Sequence, residues 1–302
     1  MPISVKKRLV KRISLSILVF VALSQLFSGC FSFRMSNREI NNYVSELPKG
    51  AEYAYYELDH RQMHYISTGG NDLPTVIFFH GSPGSLSAFT HFLKDSTLSS
   101  QARLITIDRP GFGQSNFGWS EKSLKKQSQL LKPILEQSQS NSPVILVGHS
   151  LGGSLIARMA MDFPDLVDGI IMVAPSIDPT LEPEEWYRPL LYSPFFRWIV
   201  PKSIRVSNDE IYFLKEELEE MLPLWKNITI PVSVIQGGKD NLVPPANADF
   251  AKKMLTNTTP RMMLKEDMNH FVPWNNAELI KDEILRQLDE MKKSKEVQFP
   301  AE

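Results

Sequence analysis

The sequence predicts an α/β protein built on a mostly parallel, twisted sheet with helices on both faces. Three observations predict it. Short, near-continuously apolar runs such as Thr75–Phe79, Val144–Val147 and Val232–Gln236 recur along the chain, as strands do when both faces of a sheet are covered. Segments of helical periodicity separate these runs, which is the alternation of βαβ units. The residues Gly148-His149-Ser150-Leu151-Gly152 stand directly between one such run and a helical stretch. Glycine on both sides of the serine leaves room for a tight, strained strand-to-helix turn.

The chain holds 302 residues, 42% hydrophobic and 22% charged, an ordinary globular composition. Its net charge of −1 hides an asymmetry. Lys6, Lys7, Arg8, Lys11 and Arg12, with no acid before residue 30, leave −6 on the remainder. A mildly acidic body gives no electrostatic case for nucleic-acid binding.

Taken in order, residues 1–29 read as a signal peptide. A basic start is followed by the apolar run Ile13–Leu23. That run is shorter than the roughly 20 residues of a membrane span but has the size of a signal-peptide core. Phe27-Ser28-Gly29-Cys30 resembles the cleavage box of bacterial lipoproteins, with Phe27 in the place of the usual leucine. The resemblance implies cleavage before Cys30, lipid on that cysteine, and an address at the bacterial cell envelope. Cys30 is the single cysteine, so it forms no intramolecular disulfide and no cysteine metal cluster. Acyl chains there would hold the protein at a membrane.

Residues 30–50 read as a polar tether. Two β-type runs between Tyr53 and Ser67 flank Asp59-His60 as a hairpin. The alternation then begins, with strand Thr75–Phe79, helix Leu86–Leu93, strand Leu104–Ile107 and a polar helix Glu121–Gln137 interrupted at Pro133. Strand Val144–Val147, helix Leu151–Phe163 and strand Val167–Val173 follow. Residues 176–228 break the rhythm with two helical stretches, near Trp186–Ile199 and Asp209–Leu222, and many aromatics. They are expected to form a small helical lid inserted after the sixth strand. The core is expected to comprise residues 51–175 and 229–293. It resumes with strand Val232–Gln236, helix Ala246–Leu255, strand Arg261–Leu264 and the amphipathic helix Ala277–Met291.

Four segments carry chemistry. Gly148-His149-Ser150-Leu151-Gly152 is a G-x-S-x-G motif in its required context. His270 follows the last strand, Asp240 follows the strand Val232–Gln236 and its Gly237-Gly238 turn, and His80-Gly81-Ser82-Pro83-Gly84 follows the first core strand. With Asp108-Arg109-Pro110-Gly111-Phe112-Gly113-Gln114-Ser115, which matches a D-x-x-G-x-G-x-S element, they resemble the α/β-hydrolase superfamily over roughly residues 53–293. The resemblance implies the α/β-hydrolase fold and a serine hydrolase of carboxylic esters or related acyl bonds. Its site residues would be Ser150 as nucleophile, His270 as base and Asp240 as the acid orienting it. The backbone N–H groups of Leu151 and Ser82 would form the oxyanion hole. Asp178, after the strand ending at Val173, is the alternative acid. The Asp108–Ser115 loop is expected to pack beside the turn at Ser150, His80 to support its own loop, His149 to position or pack, and Asp267 to be solvated or capping.

No cofactor is implied, because Gly111-Phe112-Gly113 lacks the rest of a phosphate-binding fingerprint. No metal is implied, because His60, His64 and His91 lack ligand spacing. The partners expected are a small acyl substrate and, through Cys30, a membrane. Serine as nucleophile argues against dehalogenase and epoxide-hydrolase chemistry, which uses aspartate there. Within the enzyme class a proline iminopeptidase-like peptidase stays open, since His80–Gly84 is close to H-G-G-P-G, as do a C–C hydrolase and an acyltransferase. A non-catalytic, lipid-anchored binding protein is the alternative outside it.

Overall fold

The computed structural model describes residues 33–48, 50–138 and 142–298, with backbone alone for 295–298. The leader 1–29 and Cys30 therefore lie outside the described residues. Eight strands form one sheet: β1 (Glu52–Leu58), β2 (Arg61–Thr68), β3 (Thr75–Phe79), β4 (Arg103–Ile107), β5 (Val144–His149), β6 (Gly169–Val173), β7 (Val232–Gly237) and β8 (Arg261–Lys265). Their order is β1-β2-β4-β3-β5-β6-β7-β8. β1 and β2 form the expected antiparallel hairpin, and β2 runs antiparallel to β4. The strands from β4 through β8 are mutually parallel. Asp59 and His60 turn the hairpin with φ of 50° and 60°, the handedness that matches the twist of the flanking strands.

β3 sits between β4 and β5. The chain winds outward from it in both directions, so the crevice beyond the carboxyl ends of β3 and β5 is the switch point of the sheet. Apolar side chains fill two layers. One, including Ile77, Leu146, Leu155 and Met172, packs with α2 (Leu124–Ser138) and α3 (Leu151–Asp162). The other, including Val76, Phe78, Val147 and Ile284, packs with the C-terminal helix Ala277–Gln298.

Between β6 and β7 lie α4 (Arg188–Tyr192), α5 (Pro194–Arg197), α6 (Lys202–Tyr212) and α7 (Leu214–Met221). They cap the carboxyl end of the sheet with four short helices where two stretches were expected. The chain completes with α8 (Ala246–Met254) and α9 (Ala277–Gln298).

Three expectations are corrected. Residues 30–50 are not a plain tether, because α1 (Asn37–Ser45) carries a Ser36/Glu39 capping box and buries Ile40. The pattern is polar, yet one apolar face suffices once the body offers a surface for it. α2 runs through Pro133 without interruption, held by its packing against α3 and β2. Leu86–Leu93 is a 3₁₀ turn, Leu86–Phe89, followed by one α turn, Thr90–Leu93.

Candidate active site

Ser150 occupies the turn between β5 and α3 with φ 57° and ψ −124°, a region that costs a non-glycine residue about 1–3 kcal/mol. The surroundings impose it. The Ser150 N–H donates to the Val173 carbonyl at 2.9 Å, and the Gly153 N–H donates to the Ser150 carbonyl at 2.8 Å. A Cβ on Gly148 would overlap the Gly152 carbonyl, and one on Gly152 would overlap the Phe79 carbonyl. Both glycines are thus required by close backbone approach, and the half-buried Ser150 stands at the head of α3.

His270 Nδ1 lies 2.8 Å from Asp240 Oδ2, and both side chains are nearly buried. Burial pushes the Asp240 carboxyl upward, but hydrogen bonds from His270 and from the Val243 and Leu242 N–H groups outweigh it and leave the group below its ordinary value. Asp240 is therefore a carboxylate that accepts the Nδ1–H of His270, which leaves Nε2 as the nitrogen open to a further partner. His149 joins this pair to the serine turn. Its Nε2–H donates to the His270 carbonyl at 2.9 Å, and the two rings are 4.7 Å apart. Burial and the neighbouring His270 depress the His149 pKa to about 3, so it stays neutral and keeps that donor.

The loop after β3 lies against the serine: a Cβ on Gly81 would come within 3.0 Å of the Ser150 Cβ. His80 Nδ1–H donates to the Gly81 carbonyl at 2.7 Å and Nε2 accepts the Arg109 N–H at 3.0 Å. Burial, with Arg109 close by, depresses the His80 pKa to about 3, and the expected loop-supporting contact is present. The role of Arg109 exceeds the packing expected of its loop. Its five side-chain N–H groups reach the carbonyls of His80 and Gly81, Gln127 Oε1 and both oxygens of Glu210. Glu210, on α6, also accepts from Gln127 Nε2 and from the Ser82 hydroxyl at 2.8 and 2.7 Å. Every lone pair and donor of this buried ion pair is used, which is the condition under which buried charges are tolerated. The cap is thereby bonded to the loop carrying the Ser82 N–H. No local pattern exposes Glu210, which lies 101 residues from Arg109; the one available signal was an arginine inside an otherwise glycine-rich turn.

Asp178 is not brought to His270. Its carboxylate caps the turn Pro179–Leu181, accepting the Thr180 N–H and hydroxyl at 2.9 and 2.7 Å, because the chain leaves β6 directly into the cap. Asp267 is exposed. Ser176, whose N–H lies 3.4 Å from the Ser150 carbonyl, donates its hydroxyl to Glu182. Burial raises the Glu182 carboxyl above its ordinary value. Among the described residues no group of three or more His, Cys, Asp or Glu side chains is arranged to hold a metal ion.

Residues 74–198 match the family model described as the alpha/beta hydrolase fold. The chain is 32% identical over 105 residues to the sn-1-specific diacylglycerol lipase ABHD11 of Mus musculus, covering 35% of this chain and 34% of that protein. It is 26% identical over 151 residues to the dihydrolipoyllysine-residue acetyltransferase component of the acetoin cleaving system of Cupriavidus necator, covering 47% and 39%. The chain thus spans about two-fifths or less of the length of these curated relatives. In three dimensions it superposes on a solved membrane phospholipase A, a bacterial virulence factor, with a TM-score of 0.61 at 16% identity, over 95% of this chain and 98% of that one. That likeness is one of fold. Sheet order, the serine turn and the match over residues 74–198 together give the chain the α/β-hydrolase fold.

Proposed function

We propose that the protein is a serine hydrolase acting on a carboxylic ester or related acyl bond. The observation that carries this reading is the buried His270–Asp240 pair, tied to the Ser150 turn through His149. His270 Nε2 takes the Ser150 hydroxyl proton as Oγ bonds to the substrate carbonyl carbon. The Leu151 and Ser82 N–H groups stabilise the oxygen that becomes negative. The leaving alcohol departs with the proton from His270, giving an acyl-enzyme, and a water activated by the same nitrogen releases the acid. Asp240 stays ionised and stabilises the imidazolium. In this reading Cys30 carries lipid after removal of residues 1–29 and holds the enzyme at the bacterial cell envelope.

Two findings support an ester over other bonds. Serine stands at the nucleophile position, although epoxide hydrolases are among the relatives, and a lipase is the relative with 32% identity. Fluorophosphonate labelling with a panel of p-nitrophenyl esters tests the proposal. We expect labelling and turnover that Ser150→Ala abolishes; a folded protein that neither labels nor turns over any ester would be a binding scaffold.

A peptidase reading has one observation in its favour. A cleft of about 620 Å³ in the cap is lined by Glu182, Glu216 and Glu219 with Trp186 and Tyr212, while its cations Arg188 and Lys215 pair with Glu185 and Glu184, which leaves carboxylates and rings for an ammonium group. Turnover of proline naphthylamide with inert esters would establish it over the ester reading.

A further inference from the structure

Six of the exposed apolar side chains stand toward one end of the molecule. Trp119 follows β4, Trp186, Leu190 and Phe195 lie on the cap, and Phe271 and Trp274 follow β8, each between 46% and 80% exposed. All stand on segments that leave the carboxyl ends of the parallel strands, the end where Ser150 and His270 sit. Apolar surface gathered this way marks an interaction surface.

The N-terminal chain arrives at the same end. Met35 accepts through its carbonyl from Gln114 Nε2 at 2.9 Å, and the Arg34 guanidinium lies over the Phe117 ring at 5.4 Å. Phe117 and Gly118 in turn meet the first turns of α6, where Lys202 Nζ is 5.9 Å from the Phe117 ring and Arg205 Nη2 donates to the Gly118 carbonyl at 3.2 Å. Arg61, 5% exposed, lies 4.4 Å from the Trp119 ring and donates to the Trp119 carbonyl, supporting that segment from beneath. Glu121 lies beside Arg61, Asp209 pairs with Arg197 beside Arg205, and Glu184, Glu185, Glu216 and Glu219 flank Trp186 on the cap, so this end carries charge of both signs. Two residues lie between Cys30 and Phe33, three steps of chain that span at most about 11 Å when extended. A lipid on Cys30, as proposed above, would be tethered within that reach of Phe33, at the end that carries the cap aromatics.

We infer that this end of the molecule is a bilayer-docking face, and that the acyl substrate is drawn from the bilayer into the site beneath the cap. Tryptophan and phenylalanine suit the interfacial zone of a bilayer. The inference deepens the serine-hydrolase reading by naming a lipid acyl ester as substrate class, and it rests on that reading for the substrate alone.

Intrinsic fluorescence tests it on the full-length chain. Four of the five tryptophans are more than half exposed on this face, Trp119, Trp186, Trp198 and Trp274, whereas Trp225 is 1% exposed. The protein is reconstituted into vesicles of phosphatidylcholine and phosphatidylglycerol with brominated acyl chains. We expect emission to fall by about half relative to unbrominated vesicles, with protection from aqueous iodide. Iodide quenching as strong as in detergent, without bromolipid quenching, would overturn the inference. So would protection from iodide without bromolipid quenching, which would mark a protein partner as the occupant.

A second arm reads catalysis. Leu190→Ser combined with Phe195→Ser is expected to lower turnover of a long-chain ester in vesicles about tenfold and to leave p-nitrophenyl acetate turnover unchanged. Equal loss on both esters, or on neither, would count against docking. Bromolipid quenching in a protein that cleaves no ester would sustain the face and remove the hydrolase reading, so the two fail separately.

Discussion

The protein contains two His–Asp pairs of the same geometry in different settings. His270 Nδ1 meets Asp240 Oδ2 at 2.8 Å, and His64 Nδ1 meets Asp108 Oδ2 at 2.8 Å. Both carboxyls lie below their ordinary value: burial pushes each up, and the histidine with two backbone N–H groups pulls each down further. The difference lies at the far nitrogen. His64 is fully buried, its Nε2 has no hydrogen-bond partner, and the Tyr55 ring covers it with centroids 4.8 Å apart. His270 sits on a loop beyond β8, against the serine turn. A carboxylate-oriented imidazole is therefore not by itself an active site. What distinguishes the pair proposed to be catalytic is the switch point of the sheet and a nucleophile beside it. Asp108 instead serves the fold, accepting the Leu86 and Gln114 N–H groups at 2.8 Å each and fixing the loops on either side.

Substitutions should separate the pairs. Ser150→Ala and His270→Ala are each expected to lower kcat for an ester substrate by about 10⁴–10⁶ with little change in melting temperature. Asp240→Asn should cost about 10⁴ by stabilising the wrong tautomer of His270, whereas Asp108→Asn should leave fluorophosphonate labelling within about tenfold. An equal loss of labelling in both carboxamide variants would erase the distinction drawn here.

Glu210→Gln is next in size. It loosens the Ser82 loop from the cap, so we expect kcat to fall about 10- to 100-fold with KM nearly constant; a rise in KM alone would assign Glu210 to substrate binding. Asp108→Asn and His64→Ala break a buried pair, at about 3–5 kcal/mol, and calorimetry should show melting about 10 °C lower. Asp240→Asn, in a partly open site, should melt closer to the wild type.

The smallest effect is on pH dependence. His80 and His149 have folded pKa values of about 3 against an ordinary 6.5, so the unfolded chain binds more protons between these values. Stability is thus full above about pH 6.5 and declines as pH falls toward 3. The depressed carboxyls of Asp108 and Asp240 add a further loss below their ordinary range, present above it. Melting temperatures from pH 8 to 4, with His149→Gln flattening the slope, check the sign.

Much of the framework was legible from local pattern. The strands from β3 to β8 show as apolar runs, and Gly148 and Gly152 announce a turn where backbones nearly touch. The Gly-Gly turn put Asp240 ahead of Asp178 as the expected acid, and the structure places Asp240 beside His270. Pro133 misled because tertiary packing of α2 offsets a local break, and Ser36–Ser45 misled because a single buried Ile40 anchors an otherwise polar helix.

By itself the sequence determined what neighbouring residues decide: periodicity, turn chemistry, and the order of serine, aspartate and histidine along the chain. Tertiary structure alone decided which histidine meets which carboxylate, that Glu210 of the cap reaches Arg109 and Ser82, and that the aromatics gather where the N-terminal chain arrives. These depend on groups far apart in sequence brought together by the sheet, and desolvation and charge pairing act on distance in space, which no local pattern encodes.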